Sequence, residues 1–152
     1  MEEHSRRWEI LLIEDNPADI RLTQEALRGL QLEHRLQVAK DGVSALAYLS
    51  GIFSGRTGSR PDIILLDLNL PRLSGLEVLA AIKASDDLKS IPVIIMSSSA
   101  SEIDIQTAYR LNANCYTQKP MEIDRFFEVM KSIRNFWLET VRLPDSPAGK
   151  LH

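Results

Sequence analysis

A single cysteine, Cys115, occurs in the 152 residues, so no disulfide can form within the chain and a reducing cytoplasmic compartment is expected. In its apolar setting it reads as a small core residue rather than a reactive thiol. Long hydrophobic runs are also missing. The longest aliphatic ones, Ile10–Ile13 and Ile63–Leu66, are four residues each, against the roughly 20 of a membrane-spanning helix. The opening Met1-Glu2-Glu3-His4 lacks the basic and apolar regions of a signal peptide. Positive charge is not in excess, because 18 Lys and Arg stand against 21 Asp and Glu for a net charge of -3. That balance argues against sequence-independent DNA binding, which needs many cationic contacts to phosphate. A soluble cytoplasmic protein with a protein or small-molecule partner is the expectation.

The chain is long enough, at 44% hydrophobic and 26% charged residues, for one globular domain with a full core. Trp8 to Ile13 reads as a strand that halts at Glu14-Asp15-Asn16-Pro17, with Asn16 as N-cap and Pro17 in the first turn of a helix carrying Leu22, Ala26, Leu27 and Leu30. Arg35 to Ala39 is a second strand, and Asp41-Gly42 opens a helix through Leu49. Ser50 to Pro61 has loop composition and is long for a helix-to-strand connection. Ile63 to Leu66 has no polar interruption and reads as a strand buried on both faces. A helix from Ser74-Gly75 to Lys83 follows, and Ile91-Pro92 forces an extended entry into a fourth strand, Val93 to Met96. The spacing then predicts a helix over 101–111 closed by a left-handed Asn112, and a fifth strand from Asn114 to Lys119 cut off by Pro120. The last helix starts at Glu122 and places Ile123, Phe126, Phe127, Met130, Ile133 and Trp137 on one stripe. The expected folded domain spans 8–138, with 139–152 as a C-terminal tail and no output domain. Five strands alternating with five helices specify an α/β doubly wound parallel sheet with helices on both faces.

In such a fold the carboxyl ends of the strands share one edge, where ligands bind. The strands deliver Glu14 and Asp15, Asp67, Ser97 and Lys119 to it. Three crowded carboxylates repel one another unless a hard divalent cation sits among them, Mg²⁺ first, with Mn²⁺ or Ca²⁺ able to substitute. Phosphoryl transfer to a carboxylate needs an oxygen nucleophile, a metal and fixed donors. Asp67 is the candidate nucleophile, Glu14 and Asp15 with Asp67 the metal ligands, Asn69 a further ligand through its backbone carbonyl, and Lys119 and the Ser97 hydroxyl the phosphoryl-binding donors. The Lys119-Pro120 bond is a candidate cis peptide.

This ordered set resembles the response-regulator receiver domain of two-component signalling over residues 8 to 137. Glu14-Asp15 match the acidic pair, Asp67 the phosphoacceptor, Ser97 the Ser/Thr switch position, Tyr116 the switch aromatic and Lys119-Pro120 the lysine with its proline. The resemblance implies a flavodoxin-like strand order of 2-1-3-4-5. More narrowly the chain is similar to stand-alone response regulators that partner bacterial phytochromes. The features are the Asn-Pro-Ala-Asp opening of the first helix, the loop ending Arg60-Pro61, Leu66 to Pro71, Ile123-Asp124, and the ending Phe136 to Pro144. That likeness implies a phytochrome-type sensor histidine kinase as donor and a downstream protein as target. Ser97 stands where threonine is more frequent, and Ser98 replaces a usual small apolar residue.

Phe136, Trp137 and Leu138 are consecutive and cannot all face inward, so apolar surface is left over. Together with the resemblance this predicts a homodimer on the face of the fourth helix, fifth strand and last helix, using Ile105, Tyr109, Tyr116, Phe136, Trp137 and Leu138. Two rivals stand beside a phosphoacceptor switch that is not itself an enzyme. One is a receiver fold that only binds and is never phosphorylated. The other is an aspartyl-nucleophile phosphatase, disfavoured because Asn69 occupies the place of a second aspartate.

Overall fold

The computed structural model describes residues 7–53 and 59–144. Ile10 to Ile13 and Ile63 to Leu66 lie at its centre, as β1 (Trp8–Ile13) and β3 (Ile63–Leu66). The other elements are α1 (Pro17–Gly29), β2 (His34–Ala39), α2 (Gly42–Phe53), α3 (Gly75–Ala84), β4 (Val93–Ser97), α4 (Glu102–Arg110), β5 (Cys115–Gln118) and α5 (Ile123–Ile133). All strand pairs are parallel and the order is β2-β1-β3-β4-β5. The expected flavodoxin-like sheet is therefore the fold.

Strand alternation divides the core in two. Leu11, Ile13, Ile64, Leu66, Val93 and Ile95 pack with Ala45, Leu49, Val78, Leu79 and Ile82 from α2 and α3. Ile10, Leu12, Ile63, Leu65, Ile94 and Met96 pack on the opposite face with Ile20, Ala26, Leu27, Phe126, Met130 and Ile133 from α1 and α5. Burying each of the larger of these side chains contributes about 1.5–3 kcal/mol. The uninterrupted strand runs follow from having helices on both faces.

Local signals hold the helix ends. Asn16 Oδ1 accepts from the N–H groups of Ala18 and Asp19 at 2.9 and 3.2 Å and caps α1. Ser74 and Glu77 form a reciprocal capping box on α3. After α4, Asn112 has φ 74°, the left-handed turn foreseen for it. The Ala113 N–H reaches the Ala108 carbonyl there and the Asn112 N–H the Tyr109 carbonyl.

Three expectations need correction. Ser50–Phe53 is the last turn of α2 rather than loop, because Leu49 and its neighbours keep packing on the sheet; residues 54–58 of the expected loop lie outside the described residues. In α5, Phe126, Met130 and Ile133 are buried, but Ile123 and Phe127 are exposed, since Ile123 is the first residue of the helix and Phe127 sits one position off the buried face. Beyond Ile133 the chain widens into a π-helical segment, Arg134–Thr140, closed by the Val141 N–H on the Phe136 carbonyl. The wider turn moves the buried position to Leu138, 5% exposed, leaving Trp137 half-buried. Leu138 belongs to the core and not to a partner surface. Residues 145–152 of the expected tail lie outside the described residues.

Candidate functional site

Parity along the strands decides which polar groups meet. Leu12 and Leu65 face the α1–α5 side, so Glu14 and Asp67, two residues on, continue toward that side, each at the point where its strand ends. The ladder extends just far enough to hold them: the Glu14 N–H donates to the Ala39 carbonyl and the Asp67 N–H to the Ile13 carbonyl, both at 3.0 Å. Glu14 is 3% and Asp67 5% exposed. The α3 N-terminus presses on the Asp67 turn. A Cβ at Gly75 would overlap the Asp67 carbonyl oxygen and Leu68 Cα, and the Gly75 N–H donates to the Leu68 carbonyl at 2.9 Å. Only glycine fits there.

Glu14, Asp15 and Asp67 each offer an oxygen within 4.8 Å of the others. Asp15 and Asp67 line one open cleft with Asn16, Pro17, Asp19, Asn69, Ser98 and Lys119, and Glu14 lies buried behind it. The Asn69 N–H donates to Asp67 Oδ1 at 3.3 Å, fixing the turn that carries it. Lys119 is anchored by its backbone N–H on the Ser97 carbonyl at 2.8 Å. Its Nζ donates to Glu14 Oε1 and to Asp19 Oδ2, both at 2.7 Å, and stands 3.5 Å from Asp67 Oδ2. The Lys119-Pro120 bond is trans, as are all peptide bonds among the described residues. The cis expectation is corrected: trans is favoured for X-Pro bonds, and the ion pairs already aim the lysine.

Ser97 and Tyr116 share the opposite parity and lie on the other side of the sheet edge. Ser97 is fully buried, and its Oγ accepts from the Ser99 N–H at 3.2 Å; the serine on the cleft wall is Ser98. Tyr116 is half-buried, its hydroxyl donating to the Ser99 carbonyl at 2.9 Å and its N–H to the Tyr109 hydroxyl at 3.0 Å. Ser99 thus links the two. Of the expected partner surface, Tyr109 (48%) and Phe136 (52%) are exposed, and Ile105 is half-buried beside an exposed Ile103.

Asp19 is the site residue that sequence reasoning passed over, noted only within the Asn-Pro-Ala-Asp opening. An acid in the first turn of a helix ordinarily reads as complementing the helix dipole. Its position four residues after Asp15, beside the inward Ile20, was the available signal.

The electrostatics are those of crowded acids around one cation. Burial pushes the Glu14 carboxyl up to about 7, Asp67's charge adds to that, and Lys119 opposes it. For Lys119, burial alone would lower the pKa, but the hydrogen bonds it donates to Asp19 and Glu14 overcome this and hold the group above the ordinary lysine range. It is an ammonium at every physiological pH. Three oxygen donors converging on one point, one of them strained toward neutrality, fit a hard divalent cation. Asp67 offers an oxygen to this cluster, and its Oδ2 lies 3.5 Å from the Lys119 ammonium.

Comparison with known proteins agrees with this architecture. The family model for the response regulator receiver domain matches residues 10–131. Response regulator Rcp1 of Synechocystis sp. is 45% identical over 135 residues, covering 89% of this chain and 92% of that protein. The crystal structure of the phosphorylated cyanobacterial phytochrome response regulator RcpA superposes with a TM-score of 0.87 at 46% identity, over 92% of this chain and all of that one. The Mn²⁺-bound form of Rcp1 gives 0.84 at 44%, over 91% and 99%. Among the described residues no helix is long and apolar enough to cross a membrane. With its 2-1-3-4-5 sheet and the acidic cluster at the strand ends, the chain belongs to the response-regulator receiver domain family and is similar to phytochrome-associated members of it.

Proposed function

We propose that this protein is a phosphorylation-controlled switch in which Asp67 accepts a phosphoryl group from a sensor histidine kinase of phytochrome type. The observation that carries this reading is Asp67 at the meeting point of the acidic cluster and the Lys119 ammonium, 3.5 Å away. An Asp67 oxygen attacks the phosphorus of the kinase phosphohistidine, the new O–P bond forms as the N–P bond breaks, and the imidazole nitrogen keeps the electron pair. Glu14, Asp15 and Asp67, with the Asn69 carbonyl, would hold Mg²⁺, which neutralises charge on the phosphoryl oxygens. Lys119 donates to one phosphoryl oxygen, and Ser97, whose hydroxyl proton is left free by the bond it accepts from the Ser99 N–H, donates to another. The phytochrome assignment draws on the likeness to Rcp1 and RcpA.

The protein is a phosphoacceptor that assists its own phosphorylation and dephosphorylation rather than an enzyme with a separate substrate. Movement of Ser97 toward the phosphoryl group draws on Ser99, which is bonded to both Ser97 and the Tyr116 hydroxyl, and carries the change to the α4–β5–α5 surface. Turning a mostly inactive population into a mostly active one requires the phosphoryl contacts to favour the active state by about 5.5 kcal/mol. Output is the binding of a downstream protein.

The test is intact mass after incubation with Mg²⁺ and a small phosphodonor. One base-labile phosphoryl adduct is expected on the wild type and none on Asp67→Asn. An unmodified wild type that binds Mg²⁺ would overturn the reading in favour of a receiver fold that signals by binding alone.

A further inference from the structure

Asp19 has no part in the proposed transfer, yet it makes one of the two shortest contacts of the central cation. Its backbone is committed to the helix: its N–H donates to Asn16 Oδ1 at 3.2 Å and its carbonyl accepts from Thr23 Oγ1 at 2.9 Å. Its carboxylate is thereby held in the first turn of α1 at the cleft wall, a quarter exposed, with Oδ2 2.7 Å from Lys119 Nζ. The lysine side chain is 11% exposed and has little room to move.

An ammonium has three donors. Two of them serve Glu14 Oε1 and Asp19 Oδ2, while Asp67 Oδ2 at 3.5 Å is beyond hydrogen-bond length. Glu14 belongs to the cluster of oxygens within 4.8 Å, so a cation bound there draws its charge away from the lysine. Asp19 is outside that cluster and keeps its hold on Lys119 whatever fills it. The third donor is free for a phosphoryl oxygen on Asp67, but any movement of the ammonium toward that oxygen stretches its 2.7 Å contact with Asp19.

We infer that Asp19 is a positioning residue that restrains Lys119 in the resting state and so weakens the binding of a phosphoryl-shaped group at Asp67. The inference rests on the reading of Asp67 as phosphoacceptor. Asp19→Asn removes the charge, keeps the shape and leaves both backbone hydrogen bonds in place. A charge-assisted hydrogen bond discounted for the partial exposure of Asp19 corresponds to an effect on the order of fivefold.

The experiment titrates the full-length chain with beryllium fluoride in Mg²⁺, which bonds to a carboxylate oxygen as a phosphoryl-shaped group with loss of a beryllium-bound water. Binding is read from the bound signals in fluorine NMR, and the Lys119 ammonium from its own proton–nitrogen signals. Asp19→Asn, and Asp19→Ser as a second charge-free variant, are expected to bind about fivefold more tightly than wild type, with a faster-exchanging ammonium in the unliganded protein. Asp19→Glu, which restores the charge, is expected to return both readouts toward wild type. A purely structural role would not be rescued by charge in this way. If wild type binds and the charge-free variants bind equally or more weakly, the role of Asp19 is overturned while Asp67 stands. If wild type shows no bound signal that Asp67→Asn abolishes, the phosphoacceptor reading falls and this inference with it.

Discussion

Glu14 is under electrostatic tension, because strand β1 delivers its carboxyl into a buried position beside Asp67. Its pKa rises from an ordinary 4.5 to about 7. The folded state then binds a proton more tightly than the unfolded one, so the stabilising contribution is complete below about pH 4.5 and is lost as pH rises through about 7. From this group the metal-free protein should be more stable at about pH 5 than at about pH 8, by on the order of 2–3 kcal/mol. Urea unfolding at the two pH values checks it, and Glu14→Gln should flatten the dependence. At this scale the sequence was informative where a residue type is rare in its setting: an acid directly after an uninterrupted aliphatic strand marks a site. Asp19 was silent for the opposite reason, since acids are common in the first turn of helices.

At the scale of elements, the end of the chain shows how backbone geometry overrides periodicity. A stripe drawn at three- and four-residue steps from Phe126 and Met130 ends on Trp137, but the π-helical turn after Ile133 adds a residue and presents Leu138 instead. Leu138 packs in the cluster that Leu30, Leu32 and Trp8 border. Arg134 Nη1 ties the same segment to the Leu30 carbonyl at 3.2 Å. Leu138→Ala should therefore cost about 2–4 kcal/mol, as a core truncation does, whereas Phe136→Ala at the half-exposed neighbour should cost less than about 1 kcal/mol. Denaturant midpoints of the two variants decide between this placement and one in which Leu138 faces a partner. The caps, by contrast, were legible residue by residue: Asn16 and Asn112 act where their side chains and backbone preferences place them.

For the whole molecule, Ile103, Tyr109, Met121, Ile123, Phe127 and Phe136 are exposed apolar residues, and the homodimer expected on α4, β5 and α5 is a prediction for solution measurement. Light scattering across a concentration series should show a dimer, and the double variant Tyr109→Ala, Phe136→Ala should shift the equilibrium toward monomer at least several-fold. A wild type that stays monomeric throughout would overturn the expected dimer and leave the phosphoacceptor chemistry untouched.

The sequence by itself determined the layered sheet and its edge. Four-residue aliphatic runs followed by polar groups admit one economical arrangement, a parallel sheet covered on both faces, and that arrangement carries Glu14, Asp15, Asp67, Ser97 and Lys119 to the same edge. Only the tertiary structure decided how those groups pair. The partners of Lys119 are set by how α1, β1, β3 and β5 place their acids, at 2.7 Å for Glu14 and Asp19 against 3.5 Å for Asp67, and nothing local to Lys119 encodes Asp19, a hundred residues away. The same holds for the trans bond before Pro120 and for the burial of Leu138. Each is set by what the rest of the fold has already placed beside it, because side-chain contacts answer to packing across elements while strand and helix formation answer to the pattern within them.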